Sequence, residues 1–328
     1  MRTHHIMFLL RRFLLACVVL GALWLGACAV LGVVIGEAVI HPSRRTLTDA
    51  DEVRAAAVAR QNGGSLSSVS IRADDGVSLQ GWRIEPARWN GDYVILLHGQ
   101  SDNRSGMLGP ADMLLRHGDA VLLPDARAHG LSGGTLATYG VLERNDIRDW
   151  FDWIDRLQGI RCIDAIGDSM GAAQLLESLS VERRFCAVIA ESPFATLREA
   201  AYDRMGQQLG TGPWAGRTLL RPAVESGIVY LRLRYGVRLD QAAPAESVGE
   251  SRTPVFLIHG LKDDNLPPRH SQIILALNHG ANPNVTLWAP ANAGHCEASI
   301  ADPDEYERRV ISWLQVHDPR LSTTAQRN

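Results

Sequence analysis

Gly167-Asp168-Ser169-Met170-Gly171 spells G-x-S-x-G. An apolar stretch, Cys162 to Ile166, precedes it, and a helix-like run, Ala172 to Leu179, follows. That context predicts a strand breaking sharply into a helix, with Ser169 lifted above the sheet edge. Glycines are needed where a side chain would meet a neighbouring strand or helix, or would forbid the strained dihedrals of the turn. A serine hydroxyl is a weak nucleophile until a base takes its proton. The pattern therefore calls for a histidine and a carboxylate further along the chain.

Around this turn, short apolar runs alternate with helical patterns. Ser67 to Ala73 and Val77 to Ile84 alternate apolar and polar residues about Asp74-Asp75-Gly76, the pattern of a β-hairpin with an Asp-Gly turn. Tyr93 to Leu97, Ala120 to Leu123, Cys162 to Ile166, Cys186 to Ala190, Val255 to Ile258 and Val285 to Trp288 read as buried strands. Met107 to Arg116, Leu142 to Leu157, His270 to Asn278 and Tyr306 to Val316 carry helical spacing. Near-continuous apolar strands alternating with helices predict an α/β fold whose mostly parallel sheet is covered on both faces. The rhythm breaks once. Leu197 to Arg252, about 55 residues, is too long for a simple crossover and contains helix-like stretches at Glu199 to Gln208 and Leu219 to Leu233. It reads as a helical cap over the site.

The N-terminus is different in kind. Phe13 to Ile35 is 23 residues without a charge, about 34 Å of helix and enough to cross a bilayer core. Arg11 and Arg12 abut it, and Arg2 lies further out, which favours a cytoplasmic N-terminus. The run exceeds the apolar region of a cleaved signal peptide and continues well past Cys28 of the lipoprotein-like box Leu25 to Cys28, so an uncleaved anchor is expected. Gly32 and Gly36 form a G-x-x-x-G at the end of the span, a poor position for dimerisation. The division expected is a cytoplasmic segment 1–12, a transmembrane helix 13–35, a linker and opening helix 36–65, a catalytic domain 66–318 with its cap at about 197–252, and a polar tail 319–328.

The net charge of −3 gives no nucleic-acid footprint. The five cysteines have neither a disulfide-framework pattern nor zinc spacing. Cys162 and Cys186 open successive strands, so a bridge is conceivable in an oxidising compartment, but two buried free thiols are the expectation.

Further segments resemble one family in order. Leu96-Leu97-His98-Gly99-Gln100 resembles a strand-end H-G motif, Asp125 to Ser132 a D-x-R-x-H-G-x-S loop, His259 to Pro267 an H-G-x-x-D-x-x-V-P loop, and Ala293-Gly294-His295 a closing G-H. Together with G-x-S-x-G they are similar to the α/β-hydrolases over roughly residues 66–318, in the chain order serine, acid, histidine. The anchored arrangement, with His41-Pro42 before the domain, is similar to membrane-tethered ABHD and Bem46-like serine hydrolases. The resemblance implies an eight-stranded-type sheet, Ser169 as nucleophile, His295 as general base and Asp263 as its orienting acid, with Asp264 the competitor. It puts the oxyanion donors at the backbone N–H groups of Gln100 and Met170. Asp125, Arg127 and His129 are expected to hold loops together, His98 and His259 to organise loops, and Asp168 to be exposed or locally hydrogen-bonded.

The function implied is a single-pass serine hydrolase, its catalytic domain extracytoplasmic, cleaving an ester or thioester through an acyl-enzyme with no metal or organic cofactor. The tether makes a small-molecule, lipid-like acyl substrate attractive. A serine peptidase or amidase of prolyl-oligopeptidase-like type, and a non-catalytic binding protein on the same fold, are the alternatives. The sequence leaves oligomeric state open.

Overall fold

The computed structural model describes residues 2–319. Its strands are β1 (Ser65–Arg72), β2 (Ser78–Glu85), β3 (Asp92–Leu97), β4 (Ala120–Pro124), β5 (Cys162–Asp168), β6 (Val188–Glu191), β7 (Val255–Ile258) and β8 (Val285–Trp288). They form one sheet in the order β1-β2-β4-β3-β5-β6-β7-β8. The pairs β1–β2 and β2–β4 are antiparallel, and all the others are parallel.

The strand residues dictate the layers. β3 buries all six of its side chains. Tyr93, Ile95 and Leu97 join one apolar cluster, and Val94 and Leu96 join another. A strand that is apolar on both faces needs a helical layer on each. The first cluster is completed by Trp150, Phe151 and Ile154 of α4 (Glu143–Asp155), Leu175 and Leu176 of α5 (Met170–Ser178), Val248 of α9 (Pro244–Gly249) and Ile274 of α10 (Arg269–Asn278). The second takes Ala55 and Ala59 of α2 (Asp49–Gln61), Met113 and Leu114 of α3 (Leu108–Arg116), and Tyr306 and Val310 of α12 (Pro303–Val316). Edge strand β1 is only partly buried, with Val69 and Ile71 against the first cluster and Leu66 against the second. Its hairpin closes at Gly76, whose φ of 88° suits glycine.

Three expectations shift. Strand β6 begins at Val188, not Cys186. The N-terminal helix, α1, runs Arg2–Ile40, beyond both ends of the apolar run. Cys162 and Cys186 are joined in a disulfide, Cα to Cα 6.0 Å, correcting the expectation of two free thiols. The Cys186 N–H bonds to the Ile163 carbonyl at 3.0 Å, which draws the lead-in of β6 beside the start of β5 and the side chains into bonding reach.

The interval from Leu197 folds as α6 (Leu197–Gln208), α7 (Gly212–Arg217), α8 (Arg221–Tyr235) and α9, and a short α11 (Ala298–Ala301) precedes α12. The chain divides into two compact units. One comprises the residues up to Val39 with Ala201–Arg238, and the other Ile40–Ala200 with the chain from Leu239. Residues 320–328 of the expected tail lie outside those described.

Candidate active site

Ser169 lies between β5 and α5 with φ 52° and ψ −109°, a conformation a non-glycine residue holds only when its surroundings enforce it. They do so at close quarters. A Cβ on Gly167 would lie 2.6 Å from the Gly171 backbone, and one on Gly171 would lie 2.4 Å from the Leu97 carbonyl oxygen. The crowding admits only glycine at 167 and 171, on either side of the turn that carries Ser169.

His295 arrives from the loop after β8 and Asp263 from the loop after β7. Asp263 Oδ2 lies 2.7 Å from His295 Nδ1, and His295 Nε2 lies 2.8 Å from Ser169 Oγ. A carboxylate only accepts, so Nδ1 carries the proton and Nε2 is left to accept from the serine hydroxyl. Burial alone would raise the Asp263 pKa. Hydrogen bonds from His259 and His295, with the Leu266 N–H, overcome that and hold it well below the usual carboxylate range. Asp263 Oδ1 is fixed by the N–H groups of Asn265 and Leu266 at 3.0 and 2.8 Å. Asp264 is exposed.

The loops around these residues are braced as expected. His259 is buried, its Nε2 donating to the Leu266 carbonyl at 2.8 Å and its Nδ1 accepting from Ser271 Oγ at 2.7 Å. His98 Nε2 accepts from the Ala126 N–H at 3.1 Å, tying the ends of β3 and β4 together. Asp125 holds the buried Arg104 at 2.6 Å, and Arg127 grips Asp146 with two nitrogens at 2.5 and 2.7 Å. These charges are sealed in mutual pairs, as buried ions must be.

The turn carrying Gln100 lies beside the serine: a Cβ on Gly99 would be 3.7 Å from Ser169 Cβ. Met170 is the first residue of α5, where N–H groups have no intrahelical acceptor. Among the described residues, the backbone N–H groups of Gln100 and Met170 donate to no protein acceptor.

One part of the site was not anticipated. In the β5–β6 register Asp168 stands opposite Glu191. Asp168 Oδ1 is enclosed without a hydrogen-bond partner in the protein, so Asp168 is neither exposed nor locally bonded as expected. Burial raises the pKa of both carboxyls, the nearby Asp168 charge pushes Glu191 further, and His295 partly offsets the rise at Asp168. Glu191 also accepts from the Ala298 N–H at 2.9 Å through a side-chain oxygen, while its carbonyl takes the Ser169 N–H at 2.8 Å. The signal was present in Val-Ile-Ala-Glu, an apolar strand that ends on an acid.

Cys162, Asp164 and Cys186 stand close enough to share an ion, but the bond between the two sulfurs removes both as thiolate ligands.

Known proteins resemble this chain in sequence or in fold. YqkD of Bacillus subtilis is 25% identical over 242 residues, spanning 73% of this chain and 76% of that protein. The α/β hydrolase domain-containing protein WAV2 of Arabidopsis thaliana is 22% identical over 257 residues, spanning 76% and 78%. Among solved structures, the esterase Pf2001 of Pyrococcus furiosus superposes with a TM-score of 0.66 at 26% identity, covering 84% of this chain and 98% of its own. An acylaminoacyl peptidase of Pyrococcus horikoshii, at TM-score 0.58 and 16% identity, shares the fold over 77% of this chain and 41% of its own. The model of the alpha/beta hydrolase family matches residues 94–309, most of the chain and all of the strands from β4 to β8. This chain therefore belongs to the α/β hydrolase family.

Proposed function

We propose that the protein is a membrane-anchored serine hydrolase that cleaves a carboxylic ester or thioester. The observation that carries this reading is the unbroken hydrogen-bonded line from Asp263 through His295 to Ser169 Oγ. Ser169 Oγ attacks the acyl carbon as its proton passes to His295 Nε2, and Asp263 stabilises the imidazolium formed. The N–H groups of Gln100 and Met170 receive the oxyanion. As the tetrahedral intermediate collapses, the bond to the leaving alkoxide or thiolate breaks and His295 returns the proton to it. Water, deprotonated by the same imidazole, then splits the acyl-enzyme and restores the serine.

Two observations support a single-pass anchor with the catalytic domain outside the cytoplasm. Within α1 the run from Phe13 to Ile35 is uncharged, and Arg2, Arg11 and Arg12 lie at the end of it that faces the cytoplasm by the positive-inside bias. The Cys162–Cys186 disulfide suits an oxidising compartment.

Labelling by a fluorophosphonate probe tests the chemistry. Wild type should label and Ser169→Ala should not; a folded wild type that fails to label sinks the proposal. A panel of p-nitrophenyl esters of increasing acyl length, with matched anilides, then reads chain preference and separates esterase from amidase.

A further inference from the structure

The G-x-x-x-G at the end of the apolar run has a partner inside the chain. A Cβ on Gly32 would lie 2.2 Å from the Ala223 carbonyl oxygen, and one on Gly227 would lie 2.7 Å from the Gly32 carbonyl oxygen, so the backbones of α1 and α8 touch. Such small-residue contacts are the way helices pack where the solvent is lipid. The two helices run parallel. Ser226 Oγ donates to the Cys28 carbonyl at 3.3 Å, Leu231 lies against Gly36, and the hydroxyls of Tyr230 and Tyr235 donate to the Glu37 carboxylate at 2.6 and 2.9 Å.

That register sets a depth. A hydrocarbon core about 30 Å thick takes about 20 helical residues, and the uncharged run starts at Phe13, so the core ends near Gly32. Gly32 is where α8 crosses. Because α8 is parallel to α1, its N-terminus points back toward the bilayer. Leu220, just before α8, clusters with Cys28. Helix α6 runs the other way along α8: Tyr202 bonds to Glu225, and Met205 clusters with Cys28, Ala223 and Val224. The end of α6 and the α7–α8 connection therefore lie on the same side, and they carry large apolar side chains that nothing covers among the described residues. Trp214 is 68% exposed, Leu219 54% and Leu209 53%. Residues 201–238 also hold six arginines against Asp203 and Glu225, a basic segment in a chain of net charge −3.

We propose that this tip, with Leu209, Trp214 and Leu219, is inserted into the leaflet from which α1 emerges, with exposed Arg204 and Arg221 at the phosphates of anionic lipids. Apolar side chains take up the acyl boundary within about 5–10 Å of the headgroups, a depth from which arginine side chains reach back to phosphate. The partner is the bilayer itself, and the proposal rests on reading α1 as a membrane anchor.

The full chain reconstituted in phosphatidylcholine–phosphatidylglycerol vesicles tests it. Lipids brominated at a shallow or a deep acyl position quench tryptophan, and comparison of wild type with Trp214→Phe isolates the Trp214 emission. Comparison with Trp24→Phe isolates a tryptophan within α1. We expect Trp214 to be quenched at least twofold more by shallow than by deep bromines. An unquenched Trp214 beside a quenched Trp24 overturns the inserted tip and leaves the anchor standing. If neither is quenched, the anchor reading falls and the inserted tip falls with it.

Discussion

At Asp263 the carboxylate is buried and hydrogen-bonded on both oxygens, whereas Asp264 beside it faces solvent. Asp263→Asn should lower kcat by about 10³–10⁴-fold, because an amide can donate to Nδ1 and so favour the wrong tautomer. Asp264→Asn should change it by less than about twofold, as exposed substitutions do. Steady-state kinetics on one ester decides between them. The Asp168–Glu191 pair makes a second residue-scale prediction. Its carboxyls have folded pKa values raised above the unfolded ones, to about 7 and about 8, by burial first. A raised carboxyl pKa favours the protonated folded form, so this contribution is complete below the unfolded value near 4.5 and is lost as pH rises through the folded one. Glu191→Gln keeps an oxygen for the Ala298 N–H but no longer titrates. Relative to wild type, the variant should gain about 2 kcal/mol of stability between pH 6 and pH 9 in urea denaturation. A pH-independent difference would show that Glu191 is not held protonated.

Among the elements, the strand-to-helix turn tolerates least. Gly171→Ala puts a methyl group against backbone atoms of Leu97 and His98, which cannot rotate away as a side chain could. It should destabilise the fold by about 1–3 kcal/mol and abolish labelling of Ser169, read by denaturation midpoint and probe. The same intolerance made the site legible. Chemistry at a serine restricts residue types along the whole approach, so Gly167, Ser169, Gly171, Asp263 and His295 could be read in order, and β3, β5 and β7 announced themselves as apolar runs. What the chain did not disclose are pairings set by register or by distance. The opposition of Asp168 to Glu191 needs the β5–β6 alignment. The Gly32–Gly227 contact joins residues nearly 200 positions apart, and G-x-x-x-G does not say whether its partner lies in the same chain. The disulfide was visible only as two strand-opening cysteines.

At the scale of the whole molecule, the state of the cysteines tests the proposed compartment. Of five cysteines, two are bonded and Cys17, Cys28 and Cys296 are free. Thiol titration in denaturant without reductant should count three thiols, and five after reduction. The bridge closes a 24-residue separation, so reduction should lower stability by about 3 kcal/mol on the chain-entropy account. A count of five without reductant would place the domain on the reducing side of the membrane.

The order of the sheet has a consequence for biosynthesis. Ser169 directly follows central β5, but His295 follows edge strand β8, a separation of 126 positions. On the proposed mechanism, a nascent chain, or one truncated before residue 295, has the serine and no base to activate it. Competence then arrives only when β8 pairs with β7 and the loop that follows it brings His295 to the serine.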